Sequence, residues 1–313
     1  MLYNIYFGNH NYVNVEDQLS YIYDGFDHIG QRVVYSDKYY NNGINVILEN
    51  NINDFYKMMS KMRNLHQKSK IVFIATEVIK DGIFNSGNVE FNIKSTEGAT
   101  QDHYNNFEYW KYRYDSFLEF LPSIDCIICY SEQLVGEYKK LHKNVFYLPL
   151  AYPENFVPLK RKPFERRSID CIFTGTFSND YRQKILQEVK EKGNLNVTVL
   201  KGNTPKYIRD EYFSRTKIAI GIKISERAGL LSKFRAFYCL TNKIEHLFEV
   251  PTDDTDLNEY LNFCSNNNNF VDELIQCVKR AEKFPQEKFE NYKDSKKLVY
   301  SEIFENMHKF INN

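Results

Sequence analysis

One pattern recurs through this chain: apolar runs of about five to seven residues alternate with longer segments whose apolar residues return at helical spacing. Few folds accommodate it. Runs such as KIVFIAT (70–76) and DCIICY (125–130) are apolar on nearly every successive residue. A strand of that kind has no solvent face, so helices must cover both sides of its sheet. Alternating strands and helices then build βα units around a parallel sheet. In the first half, strands are expected at Leu2–Phe7, Arg32–Ser36, Asn45–Leu48, Lys70–Thr76, Asp125–Tyr130 and Val145–Leu148. Helices are expected over Val15–His28, Asn53–Gln67, Tyr104–Leu121 and Glu132–Leu141.

The pattern stops after Leu148. PLAYPENFVPLKRKPFERR (149–167) holds four prolines and a basic cluster without periodicity, which marks an interdomain linker. Beyond it the alternation resumes: strand Ile169–Thr174, helix Tyr181–Lys192, strand Asn196–Leu200, helix Pro205–Arg215, strand Lys217–Ile222, helix Gly229–Leu240 and strand Lys243–Phe248. Asn269–Phe284 and Gln286–Phe310 read as two closing helices separated at Pro285. The 313 residues suit two cores rather than one. The expected domains are 1–152 and 153–285, with 286–313 as a terminal helix.

Composition narrows the classes. Lys+Arg and Asp+Glu both number 41, so no net charge draws the chain to nucleic acid or to an anionic membrane. An anionic ligand must therefore be held by a local cluster. With 24 Tyr and 24 Phe, the chain has ample material for buried packing, which excludes general disorder. Cys126, Cys129, Cys171, Cys239, Cys264 and Cys277 sit singly in apolar runs and read as reduced core thiols. Cys126 and Cys129 have CxxC spacing inside a strand-like run, without the turn of a redox motif or the second pair of a zinc site. No apolar run reaches a membrane span and the first residues lack a signal-peptide pattern, so a cytoplasmic protein is expected.

In doubly wound sheets, ligands bind outside the carboxyl ends of the strands. The strand Ile169–Thr174 runs into Gly175 and Thr176 as a helix bearing Arg182 begins. A glycine there lets backbone approach a ligand, and a helix start suits a phosphate. Further on, Lys217–Ile222 leads to a loop with Glu226, then Ser232 and Arg235 on a helix, then a strand ending at Glu249. Arg235 stands among Leu230, Leu231, Phe234 and Phe237, where a cation needs an anionic partner. That partner is either a bound phosphate or a nearby carboxylate.

The element order resembles that of GT-B glycosyltransferases, an α/β architecture of two Rossmann-like domains facing a central cleft. The segment KIAI…ERAGLLSKFRAFYCLTNKIEHLFE is similar to the nucleotide-sugar region of bacterial family 1-type and spore-coat-type glycosyltransferases, and IDCIFTGTFSNDYRQKIL to the start of that region. The resemblance implies that the terminal helix packs back on the first domain. It places the nucleotide-sugar donor among Gly175, Thr176, Glu226 and Ser232, with the diphosphate near Gly175, Arg182 or Arg235 neutralising it and Glu249 near the ribose. It also implies transfer from a nucleotide-diphosphate sugar to the hydroxyl of a glycan, lipid-linked or other acceptor, in glycan or glycoconjugate assembly. No cofactor, metal or nucleic-acid partner is expected, and peripheral membrane contact stays open. No E-x7-E pair is present, since Thr241 stands eight residues before Glu249, so inversion is favoured. An inverting enzyme needs a base from the first domain. Glu77, at the end of IVFIATE, is the leading candidate, with His10 and Asp17 after the first strand. The loop 78–106 and the aromatic helix with Tyr109, Trp110, Tyr112 and Tyr114 are candidates for the acceptor side. The alternatives are a non-catalytic nucleotide- or sugar-binding protein, and a nucleotide-sugar epimerase or hydrolase.

Overall fold

A computed structural model describes residues 1–8, 12–49, 53–85, 107–175, 180–223, 232–251, 255–283, 286–295 and 298–313. The chain divides into two compact units, Met1–Pro149 with Val299–Asn313, and Leu150–Leu298.

In the first unit the elements are β1 (Leu2–Tyr6), α1 (Tyr12–His28), β2 (Arg32–Ser36), β3 (Ile44–Leu48), α2 (Asn53–Leu65), β4 (Lys70–Ala75), β5 (Ile79–Lys80), β6 (Ile83–Phe84), α3 (Phe107–Phe120), β7 (Cys126–Cys129), α4 (Glu132–Leu141) and β8 (Val145–Tyr147). Six strands form a parallel sheet in the order β2-β1-β3-β4-β7-β8. Every residue of β3 and β7 is buried, as continuous apolar strands require. Cys126 and Cys129 are free and buried within β7, so both serve packing. The strand order reverses between β1 and β3, and the residues following those strands lie at that switch.

The second unit contains β9 (Ile169–Thr174), α5 (Asp180–Gly193), β10 (Val197–Leu200), α6 (Lys206–Ser214), β11 (Thr216–Gly221), α7 (Lys233–Thr241), β12 (His246–Phe248), α8 (Phe270–Arg280) and α9 (Glu287–Lys293). Its parallel sheet runs β10-β9-β11-β12, with the switch between β9 and β11. Phe173, Leu186, Ile218, Ile220, Phe270 and Leu274 belong to one buried cluster that seats α5 and α8 on this sheet.

The segment read as a single helix over 286–310 contains two. α9 ends at Lys293 with Asp294 as its C-cap, and the side chains of Asp294 and Ser295 favour turns over helix continuation. The Tyr292 hydroxyl of α9 donates to the Leu150 carbonyl, 2.8 Å away in the second unit. α10 (Tyr300–Asn312) instead belongs to the first unit. Its Phe304 is fully buried against Tyr21 and Phe26, and Lys70 Nζ donates to the Ile311 carbonyl at 2.6 Å. No helix among the described residues is long and apolar enough to cross a membrane.

Gly25 makes the approach of α10 to α1 possible, because a Cβ there would stand 2.1–2.3 Å from the Phe304 ring. Gly25→Ala improves helix propensity by about 1 kcal/mol but overpacks a buried ring at a cost of about 1–3 kcal/mol. The expected outcome is a lower melting temperature, and an unchanged or raised one would show that α10 is loosely seated.

Candidate functional site

In the second unit the groups that follow the strands converge at the β9/β11 switch. Gly175, just after β9, has φ +138°, a backbone conformation that residues with a Cβ rarely adopt. A Cβ there would lie 2.5 Å from Arg235 Nη2, so the absence of a side chain lets the guanidinium in. Arg235 sits in the first turn of α7, and Ser232 caps that helix without a side-chain hydrogen bond. The positive end of the helix dipole and the Arg235 cation therefore coincide.

Arg235 lies 4.9 Å from the Phe173 ring centroid and Arg182 lies 5.2 Å from the same centroid. The two cations have different tasks. Arg182 is buried and donates from Nε to the Ile222 and Lys223 carbonyls at 3.2 and 3.0 Å, and from Nη2 to Ile222 at 3.0 Å, so it fixes the chain leaving β11. Arg235 makes no salt bridge to a carboxylate among the described residues. Burial, and then the like charge of Arg182, lower its pKa. A partly buried cation under that pressure is a seat for an anion.

Glu249 follows β12 and is fully buried. One oxygen accepts from the Tyr181 hydroxyl and the other from the Lys223 amide at 2.6 Å. Burial raises its pKa, and those two donors work in the opposite direction. Glu249 thus ties α5 to the chain after β11. A cavity of about 390 Å³ opens beside this tie, lined in part by Tyr181, Lys184, Lys223, Asn268 and Phe270. Thr176 and Glu226, expected at this site from the sequence, lie outside the described residues, as does His10 of the first unit.

In the first unit Glu77 stands two residues beyond β4, and its setting contains three groups that sequence reasoning missed. Arg113 Nη2, from α3, donates to Glu77 at 2.8 Å and to Glu49 at 2.7 Å. Asn85 Nδ2 donates to the other Glu77 oxygen at 2.5 Å. Asn85 is delivered by the β5–β6 hairpin, whose turn residues Asp81 and Gly82 both have positive φ, as a two-residue Asp-Gly turn requires. Glu49 is the first residue after β3 and Glu77 the second after β4, and a carboxylate just past a strand end was its available signal. Arg113 could have been suspected as a cation inside an aromatic helix. Its guanidinium packs 4.7 Å from the Trp110 ring centroid.

The Glu49 side chain is fully enclosed, whereas that of Glu77 is 20% exposed. Burial pushes the Glu49 pKa up to about 8, with Arg113 opposing the shift and Glu77 adding to it. Burial also opposes the charge on Arg113, but Glu49 and Glu77 outweigh it and raise that pKa. A carboxyl that binds its proton more tightly when folded contributes stability that is full below its unfolded pKa of 4.5 and lost as pH rises through about 8. Glu49→Gln, which cannot ionise, is expected to gain melting temperature relative to the parent as pH rises from about 5 to about 9. A difference that stays flat over that range would show that Glu49 titrates alike in the folded and unfolded chain.

Asp17 lies in the second turn of α1, because the helix begins at Tyr12, three residues before the expected start. On α3, Trp110 and Tyr114 are buried and Tyr112 is exposed, so this helix mainly serves packing. The loop read as an acceptor element falls largely in 86–106, outside the described residues. Among the described residues no group of three or more His, Cys, Asp or Glu side chains is placed to hold a metal ion.

No family model matches the chain, and none of the curated proteins matches it either. Solved structures do. TarM aligns with a TM-score of 0.52 at 13% identity over 86% of this chain, which spans only 55% of TarM's length. A point mutant of S. aureus TarM, in complex with Fondaparinux, alpha-GlcNAc-glycerol and UDP, aligns with a TM-score of 0.51 at 14% identity, covering 87% of this chain and 56% of that one. An alpha-glucosyltransferase in complex with UDP and a 13-mer DNA containing an HMU base aligns over 100% of this chain and 98% of its own, with a TM-score of 0.58 at 10% identity. Two parallel α/β units in one polypeptide, aligned with these enzymes along nearly the whole chain, show that it has the GT-B fold of glycosyltransferases.

Proposed function

We propose that the protein is a glycosyltransferase that moves a sugar from a nucleotide-diphosphate donor to an acceptor hydroxyl, with inversion and without a metal ion. The observation that carries this reading is Arg235, a cation without a carboxylate partner among the described residues, set at the start of α7 against the side-chain-free Gly175. The second unit takes the donor. Arg235 and the α7 dipole balance the diphosphate charge that a divalent cation otherwise balances, while Arg182 and Glu249 hold the surrounding chain. Glu226, Ser232 and Thr176 complete the donor side in this proposal.

The first unit takes the acceptor. Glu77 is the general base, held by Arg113 and Asn85 and partly exposed. In the reaction the acceptor oxygen bonds to the anomeric carbon and its proton passes to Glu77. The bond from that carbon to the diphosphate oxygen breaks, and its electron pair leaves with the nucleotide.

UDP accompanies two of the aligned structures, which makes it the first nucleotide to test. A thermal-shift comparison of UDP, GDP, dTDP and CMP is expected to single out one base by a rise in melting temperature. Slow hydrolysis of the matching sugar nucleotide then separates an enzyme from a silent binder. If no nucleotide shifts the melting temperature, the donor site is wrongly assigned.

A further inference from the structure

Arg113 leaves one buried donor unused. On a guanidinium, Nε and Nη2 lie along one edge and offer a carboxylate two parallel N–H groups. Glu49 and Glu77 each accept from Nη2 alone, at 2.7 and 2.8 Å, and Nε is buried without a hydrogen-bond partner. An unpaired N–H in the interior is costly, so something must hold two neighbouring carboxylates off it. In each case the second carboxylate oxygen is engaged by a neutral donor. That of Glu49 accepts from the Thr76 hydroxyl at 3.2 Å, and that of Glu77 from Asn85 Nδ2 at 2.5 Å.

We propose that Asn85 is a positioning residue for Glu77: by holding the second carboxylate oxygen, it stops Glu77 from closing a fork onto Arg113 and keeps the carboxylate presented to the acceptor. The proposal rests on the reading of Glu77 as the base. A carboxylate that spends both oxygens on one guanidinium is a good ion pair and a poorly placed proton acceptor.

The hairpin of β5 and β6 is built around this contact. The Asn85 backbone amide donates to the Val78 carbonyl at 2.7 Å, and the Val78 amide donates to Asn85 Oδ1 at 3.1 Å. A backbone N–H can only donate, so the second bond fixes which end of the side-chain amide is oxygen and turns Nδ2 toward Glu77. Asn85 is buried, with φ +52°, a left-handed conformation that asparagine enters more readily than most residues with a Cβ. From α4, the Tyr138 hydroxyl donates to the Glu77 backbone carbonyl at 3.1 Å. The backbone of residues 77 and 78 is thus held by other bonds, and Asn85 Nδ2 is left to act on the carboxylate.

Two variants of the full chain separate this role from a structural one. Asn85→Asp keeps the acceptor for Val78 and tolerates the left-handed backbone, but puts an oxygen where Nδ2 stood. Asn85→Gly suits the backbone and adds no charge. The first measurement needs no turnover: the Nε–H signal of Arg113 is followed in 15N-arginine-labelled protein and assigned by its loss in Arg113→Lys. In both variants that proton is expected to move downfield, because Glu77 closes onto it. A signal unchanged from the parent overturns the proposal.

The second measurement follows UDP release from UDP-glucose. Both variants should lower kcat by about tenfold to thirtyfold, with the donor KM within about twofold of the parent. In a Glu77→Gln background the same substitutions should change the residual rate by less than about twofold, since they act through Glu77. Equal losses in the two backgrounds would make Asn85 a structural residue and overturn the proposal. The base reading fails on a different result, full turnover in Glu77→Gln, which leaves the response of the Arg113 signal as it was. Scanning calorimetry checks folding, and Asn85→Asp, which keeps the hairpin's own hydrogen bonds, carries the test if Asn85→Gly does not fold.

Discussion

Arg235→Ala is expected to weaken nucleoside-diphosphate binding by about 30- to 100-fold while leaving the free protein as stable as its parent. The first part follows from the charge-assisted hydrogen bonds a guanidinium makes to phosphate, worth about 2–3 kcal/mol when the cation is fixed in place. The second part follows from what surrounds Arg235 when no anion is bound. It has no salt bridge to a carboxylate among the described residues, and Arg182 shares the Phe173 ring with it. Removing it gives up one cation–π contact of about 0.5–1 kcal/mol and relieves a repulsion between like charges, so the melting temperature should move by no more than a few degrees. Isothermal titration with the nucleotide that scores in the thermal-shift comparison checks the affinity, and scanning calorimetry of the free variant checks the stability. An Arg235→Ala protein that binds every tested nucleotide as the parent does would place the donor elsewhere. A large fall in melting temperature with the affinity retained would make Arg235 a structural cation.

Glu77→Gln should lower kcat by about 10²- to 10⁴-fold, the range lost when a positioned base is removed, with little change in the KM for the donor. The amide keeps an acceptor for Arg113 and a similar shape, so the fold should survive. Single-turnover measurements with saturating donor and acceptor separate the chemical step from binding. Turnover close to the parent's would dismiss Glu77 as the base and return attention to His10 and Asp17.

The parts of this fold set by local sequence were legible from it. β9 and α4 have the bounds expected from the pattern, because a run of successive apolar residues or an amphipathic repeat carries its own boundary. Arg235 was visible for the same reason, as a charge inside an apolar stretch. Partnerships across long separations were not visible. Arg182 stood out at a helix start, but the carbonyls it grips are 40 and 41 residues away, so its task of fixing the chain after β11 could not be foreseen. Glu49 and Arg113 meet across 64 residues, one directly after β3 and the other on α3, and no local pattern links them. The closing helices were misread because Asp294 and Ser295 are weak signals beside the Pro285 on which the boundary was placed.

The return of α10 to the first unit has a consequence for how the chain is made. The ribosome delivers residues 1–149 first, but the apolar surface offered by Tyr21, Gly25 and Phe26 receives Phe304 only after the whole of Leu150–Leu298 has emerged. The second unit, continuous in sequence, can complete its core during synthesis, while the first waits with a groove open. The half whose synthesis starts first is thus the half whose core closes last.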